Sequence, residues 1–600
     1  MAPSTLSGPG SKQTQTQKSE AKLGFSLPDF ESLPDKYGWP RENEHGYRIK
    51  EQLCGTERPL RVIHAGAGAS GICLAKFLPE RLRNVSLVCY EKNSDVGGTW
   101  LENRYPGCAC DIPSVDYQFT WARNPNWSHF YSSAPEIWQY FRDLVDRFDL
   151  MRYFKLSHEI IGAYWDSRRG VWDIHVKNLV SGETFIDNAE VFINGGGVLN
   201  HWKWPDIEGL SDFEGTLCHT ARYDENTVLD GKRVAVIGTG SSGVQVIANI
   251  ASKVSRLYTW IRSPTWITPG FAQKYAGPDG ANFAYTEEQK TFWAENYLEY
   301  LKYCKEIENE LNQRFKFILN GTPEAEAAKR FSTNEMKRKL AGREDLIEKM
   351  IPTTFGVGCR RPTPGNGFLE ALTMPHVTTY TEEIKKITAK GFMDQAGVEH
   401  EVDVIICATG FNTSWVPRFP IEANGKNVQD LHAGKPLSYL SVGVPDIPNY
   451  FTVLGPYGPL GHGSILPLIE RLLSNFIRII QKMQVENIKS LAPKREVCEK
   501  FAEHADLFLK RTAWSSGCSS WFKQGRKDGP LTMWPGSRLL FLEVHKEPRY
   551  EDYNIEYLDG NPFGFLGNGF TVREYDGSAL SYYLGTAENP GALMPLAGNP

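Results

Sequence analysis

An α/β protein with two Rossmann-type dinucleotide-binding domains and a helical insertion is what the sequence predicts. Three observations carry the prediction. A β-branched run closes on a glycine triplet and opens a helical pattern at LRVIHAGAGASGICLAKFL (60–78). The same theme returns at KRVAVIGTGSSGVQVIANIA (232–251), and a long helical stretch lies between that copy and a third apolar run, VDVIICATGF (402–411). Six hundred residues also exceed what one hydrophobic core serves, so more than one domain is expected.

In the first copy the triplet is Gly66, Gly68 and Gly71, and in the second Gly238, Gly240 and Gly243. The first glycine of such a triplet permits a tight turn, the second lets a pyrophosphate approach the backbone, and the third lets helix and strand pack closely. The helix that follows presents free N–H groups to the phosphates. The residue ending the next strand separates the two copies. Glu91 stands 20 residues past Gly71, where a carboxylate binds the hydroxyls of an unphosphorylated ribose. Arg262 stands 19 residues past Gly243, where a guanidinium suits a 2′-phosphate. The first site therefore reads as FAD or NAD, and the second as NADP. Together they predict hydride transfer from NADPH to a flavin.

Between the second copy and the third run, Trp293, Tyr297, Tyr300, Cys304, Ile307, Leu311, Phe315 and Ile318 recur at helical spacing. This predicts one long amphipathic helix over 292–319, within a helical insert at about 275–351 that shields a nucleotide domain. The domain organisation expected is a disordered or extended leader at 1–40, an FAD domain from 41–205 and 395–600, and an NADP domain at 206–394. The polar leader has no apolar core region and is not a secretory signal.

Other functions are disfavoured. A net charge of −5 leaves no electrostatic footprint for nucleic acid, and no apolar run reaches the about 20 residues of a membrane span. Eleven scattered cysteines do not resemble a disulfide framework, which points to a reducing, cytoplasmic compartment. Cys108 and Cys110 have neither dithiol nor zinc spacing and read as small packed residues, and no metal site is expected. His462, in a glycine-rich turn, is read as a loop hydrogen-bonder rather than a base.

Four stretches then carry a resemblance. FEGTLCHTARYD (213–224), between the two fingerprints, is similar to the motif of class B flavin monooxygenases through Phe213, Gly215, His219 and Asp224, with Tyr223 in place of the tryptophan of the Baeyer–Villiger subgroup. GGTWLENRYPGCACD (97–111), GCRRPTPGNGFLEAL (358–372) and CSSWFKQGRKDGPLTMWPGS (518–537) resemble further stretches of Baeyer–Villiger monooxygenases, from about residue 40 onward. The resemblance implies that NADPH reduces FAD, that O₂ then gives a flavin peroxide, and that this inserts oxygen beside a ketone carbonyl to give an ester or lactone. Arg361 would be the fixed positive charge beside the reacting oxygen, and Asp111 would hold and tune it. The same relationship implies FAD contacts from Ser70, Glu91, Gly98, Thr99, Trp100, Leu101, Glu102, Asp111, Tyr117, Ile160 and Ile465. It implies NADP contacts from Ala109, Cys110, Asp111, Thr239, Ser241, Ser242, Val244, Gln245, Arg262, Ser263, Arg360, Arg361 and Trp521. His219 is read as an interdomain residue. Oxygenation of sulfides or amines, and an uncoupled NADPH oxidase, remain open. The partners expected are a small ketone and O₂, with a monomer preferred.

Overall fold

The structure, a computed structural model, describes residues 28–461 and 463–585. The first 27 residues of the expected leader, and His462, lie outside them. Within the leader, Leu33–Tyr37 is a short helix rather than extended chain: Pro34 presets its first turn and Gly38, at φ 68°, ends it. The described chain divides into two compact units. The smaller takes Gln484–Ile488 with the chain up to Arg58 and from Tyr557. The larger takes Pro59–Met483 and Lys489–Glu556 and contains both fingerprints.

The larger unit is organised around two parallel sheets. In the first, the strand order is Tyr450–Thr452, Val191–Asn194, Leu60–Ala65, Val85–Tyr90, Phe154–Lys155, all parallel. Val62 and Ile63 are fully buried although they point to opposite faces, because helices cover one side and a further layer the other. That layer is a mainly antiparallel sheet of His158–Asp166, Val171–Asn178 and Thr184–Ala189, extended by Ile421–Ala423 and Lys426–Asn427. Ile160, Trp172, Ile174, Phe192 and Ile421 fill the core between the two layers.

The second parallel sheet runs Val377–Tyr380, Arg256–Trp260, Arg233–Ile237, Val404–Cys407, Thr216–His219. Val404–Cys407 therefore belongs to the second sheet, and the expected boundary at 395 falls too early. Its apolar run reads as a closing strand for either sheet, and only pairing with Arg233–Ile237 and Thr216–His219 decides which. The 292–319 stretch also differs from one continuous helix. Glu287–Glu295 and Tyr297–Gln313 are separate helices because Asn296 leaves helical geometry (φ −122°, ψ 66°). The break turns Tyr297 to solvent, while Tyr300, Cys304, Ile307 and Leu311 remain buried. Pro323–Lys339 and Glu344–Met350 complete the insert. Among the described residues, no helix is long and apolar enough to cross a membrane.

Burial holds three histidines in the neutral state, lowering the pKa of His64, His219 and His545 to about 4. The unfolded chain, with histidines near 6.5, binds protons more readily, so this stability is complete above that pH and is lost as pH falls toward 4. Between pH 7.5 and 5 the fully enclosed His64 and His545 should cost on the order of 1–2 kcal/mol each. A urea-unfolding midpoint unchanged between these pH values would contradict this.

Candidate functional site

At the first fingerprint the chain leaves strand Leu60–Ala65 and enters helix Ala69–Arg81 through Gly66 at φ 101°. A Cβ on Gly71 would collide with the Gly66 carbonyl oxygen, and one on Gly68 would sit 3.6 Å from Gly98 Cα. The two backbones thus form a bare cradle at the carboxyl ends of the strands, where α/β folds bind ligands. Glu91 closes one side. Its Oε2 accepts from Ala67 N and its Oε1 from Asn93 N, both at 2.8 Å, while burial raises its pKa. Thr99–Glu102 forms one helical turn on which Trp100 Nε1 donates to the Tyr117 hydroxyl at 3.2 Å, and Lys92 pairs with Glu102 at 2.7 Å. Ser70 is buried, Ile160 belongs to the interlayer core, and Ile465 immediately precedes helix Leu466–Val485.

That last turn has an anchor which no local pattern reveals. Arg538, fully buried, donates from Nη2 to the Ser464 carbonyl at 2.8 Å and from Nη1 to Glu308 Oε1, on the insert, at 2.6 Å. The neighbouring Asp116 is buried, and burial together with the Glu308 charge raises its pKa well above the usual carboxylate range. A C-terminal arginine therefore joins the insert to the segment before Ile465.

The second fingerprint repeats the first turn, with Gly238 at φ 115° and Gly243 packed against the Gly238 carbonyl. A Cβ on Gly240 would meet nothing within 4 Å, so the face above it is open. Thr239 and Gly240 lead into helix Ser241–Ile250, which begins with Ser241 and Ser242 and buries Val244. Gln245 reaches to the first half of the molecule: its Nε2 donates to the Ala109 carbonyl at 2.9 Å and its Oε1 accepts from Tyr105 at 2.8 Å. Nearby, Arg360 Nη2 donates to Ser263 Oγ at 3.1 Å, and the exposed Arg262 pairs with Glu383 at 3.4 Å.

Arg361 and Asp111 are joined at 2.8 Å, each side chain about one-fifth exposed. Cys110 N donates to the Ser132 carbonyl, fixing the backbone before Asp111, and the Phe271 ring lies 5.8 Å from the Arg361 guanidinium carbon. Arg360 Nε and Arg361 Nε are buried without a partner. Partly buried guanidinium groups whose Nε donors are free fit an anionic ligand. Trp521 begins a single turn capped by Ser520 and packs on Phe522 at 4.5 Å.

One disulfide corrects the reading of the cysteines: Cys359 and Cys518, 159 residues apart, are bonded, and the other nine are free. Spacing alone does not reveal a pair brought together by the fold.

In FEGTLCHTARYD the apolar positions and His219 are packed, while Glu214, Thr216, Arg222 and Asp224 are exposed. Phe213 is core, Gly215 makes room for the Phe213 ring, and Tyr223 is buried. His219 Nδ1 accepts from Ala221 N at 3.1 Å, so the ring of this neutral histidine carries its proton on Nε2 and donates to Thr409 Oγ1 at 3.2 Å. The ring stacks on Trp202 at 4.4 Å, and Trp202 bridges to Phe411. His219 therefore clasps the two chain segments that connect the sheets.

Known proteins resemble this one along most of its chain. The chain is 39% identical over 555 residues to the FAD-binding monooxygenase tazF of Aspergillus terreus, covering 91% of this chain and 98% of that protein. It is 30% identical over 514 residues to a Baeyer-Villiger monooxygenase of Pseudomonas aeruginosa, covering 85% and 94%. The crystal structure of cyclohexanone monooxygenase from Rhodococcus sp. Phi1 bound to NADP+ superimposes with a TM-score of 0.72 at 28% identity, over 83% of this chain and all of that one. The class these matches define is the flavin-dependent monooxygenases. The chain belongs to the flavin-binding monooxygenase-like family, whose model matches residues 60–337.

Proposed function

We propose that this protein is an NADPH- and O₂-dependent flavin monooxygenase that converts ketones to esters or lactones. The observation that carries the reading is the Arg361–Asp111 pair. Attack on a ketone carbonyl develops negative charge on oxygen, and a guanidinium stabilises it without surrendering its own proton. Asp111 accepts from Nη2 and so fixes the plane of the guanidinium. The Phe271 ring faces the same guanidinium at 5.8 Å.

FAD would sit in the Gly66–Gly71 cradle with Glu91 toward its ribose, and NADPH in the Gly238–Gly243 cradle. When bound, the flavin supplies hydride acceptance from NADPH and activation of O₂. Arg262, Ser263 and Arg360 are the residues suited to the 2′-phosphate. Arg360→Ala should raise KM for NADPH by about 10- to 100-fold, the value of one charge-assisted contact, and leave KM for NADH nearly unchanged. Equal effects on both coenzymes would contradict this placement.

The function is tested with linear, cyclic and aryl ketones, following NADPH consumption and products together. Ester or lactone formed in step with NADPH oxidation is expected. Oxidation of sulfides or amines without ester formation would move the assignment to heteroatom oxygenation, and hydrogen peroxide as the sole product would make the protein an NADPH oxidase.

A further inference from the structure

We propose that the Cys359–Cys518 bond is a reducible fastener that holds the Trp521 turn to the Arg360–Arg361 segment and sets how tightly NADP+ is retained. The inference rests on the proposed placement of the dinucleotide. The bond joins residue 359, one before Arg360, to residue 518, three before Trp521. It is the only bond of its kind among the described residues. The two backbones are held with Cα atoms 6.4 Å apart.

The bond thus brings the turn that carries Trp521 and Lys523 against the segment that carries both arginines. Lys523, on the Trp521 turn, is itself buried and donates through Nζ to the Ser516 carbonyl. Two charges act on Lys523, that of Asp528, which favours its ammonium form, and more weakly that of Arg360, which opposes it. Phe522 in the core and Gln524, which donates to the Ser414 and Gly434 carbonyls, also hold this turn, so opening the bond loosens it against Arg360 without unfolding it.

The bond opens by thiol–disulfide exchange. A dithiol gives up two electrons and two protons, becoming a cyclic disulfide, while Cys359 and Cys518 become thiols. Both sulfurs belong to fully buried residues, 0% and 1% exposed. An attacking thiolate therefore reaches them only when the Trp521 turn lifts. Coupling is reciprocal: if the intact bond favours NADP+, then NADP+ must protect the bond.

The test uses FAD-loaded protein purified without reductant. Peptide mapping under non-reducing conditions should recover the peptides of Cys359 and Cys518 linked. Dithiothreitol reduction, followed by alkylation of these two cysteines, should be about tenfold slower with saturating NADP+. The reduced protein should bind NADP+ about tenfold more weakly by equilibrium dialysis, a change of one decade in Kd. The double variant Cys359→Ser/Cys518→Ser should show the weaker Kd with or without dithiothreitol, with FAD content reporting its folding. If that variant fails to fold, the reduction rates and affinities of the unaltered chain decide alone. Absence of the linked peptide, equal reduction rates with and without NADP+, or equal affinities of the oxidised and reduced forms each overturns the inference. Failure of both forms to bind NADP+ overturns the dinucleotide placement and the inference with it, whereas equal affinity overturns the inference alone.

Discussion

Replacing Arg361 with alanine should abolish ester formation, a loss of about 10³-fold or more, while NADPH still reduces the flavin within a few-fold of the normal rate. The size follows from two effects in one direction. The charge that stabilises the attacked carbonyl is removed, and Asp111, which accepts from Arg361 at 2.8 Å, is left as a half-buried anion where charge of its own sign must develop. Arg361→Lys keeps the charge but not the planar fork and should fall between the two. Stopped-flow bleaching of the flavin and chromatography of the product separate the steps. Ester formation retained in Arg361→Ala would remove the residue from the chemistry.

The largest effect on stability should come from Arg538→Met, a destabilisation of about 3–5 kcal/mol. The guanidinium is fully buried, and its removal strips partners from the Ser464 carbonyl and from Glu308, beside an already crowded Asp116. Because Ser464 directly precedes Ile465, FAD content should fall along with the unfolding midpoint. A change under about 1 kcal/mol would show that the cluster contributes little beyond packing.

Both glycine fingerprints were legible because each needs only a dozen contiguous residues, and the collision of a Cβ at Gly71 or Gly243 explains why no other residue type serves. The helical insert was legible by periodicity, yet the break at Asn296 was not, since the apolar spacing runs on across it. Strand Val404–Cys407 shows the same limit: its composition announces a buried parallel strand, and only its partners say in which sheet. The antiparallel layer at 158–189, the Cys359–Cys518 bond and the Arg538–Glu308 pair depend on contacts across tens to hundreds of residues, which no local pattern encodes. His219 misleads in the opposite sense. Its residue type invites catalysis, whereas its burial, its tautomer and its stack on Trp202 make it a clasp between the crossing segments.

Oxidation of a ketone under ¹⁸O₂ tests the central claim most directly. One labelled atom should enter the ester as its alkoxy oxygen for each NADPH consumed, with the ketone's own oxygen retained as the carbonyl. Unchanged ketone, with the label recovered only as hydrogen peroxide or water across linear, cyclic and aryl substrates, would contradict it.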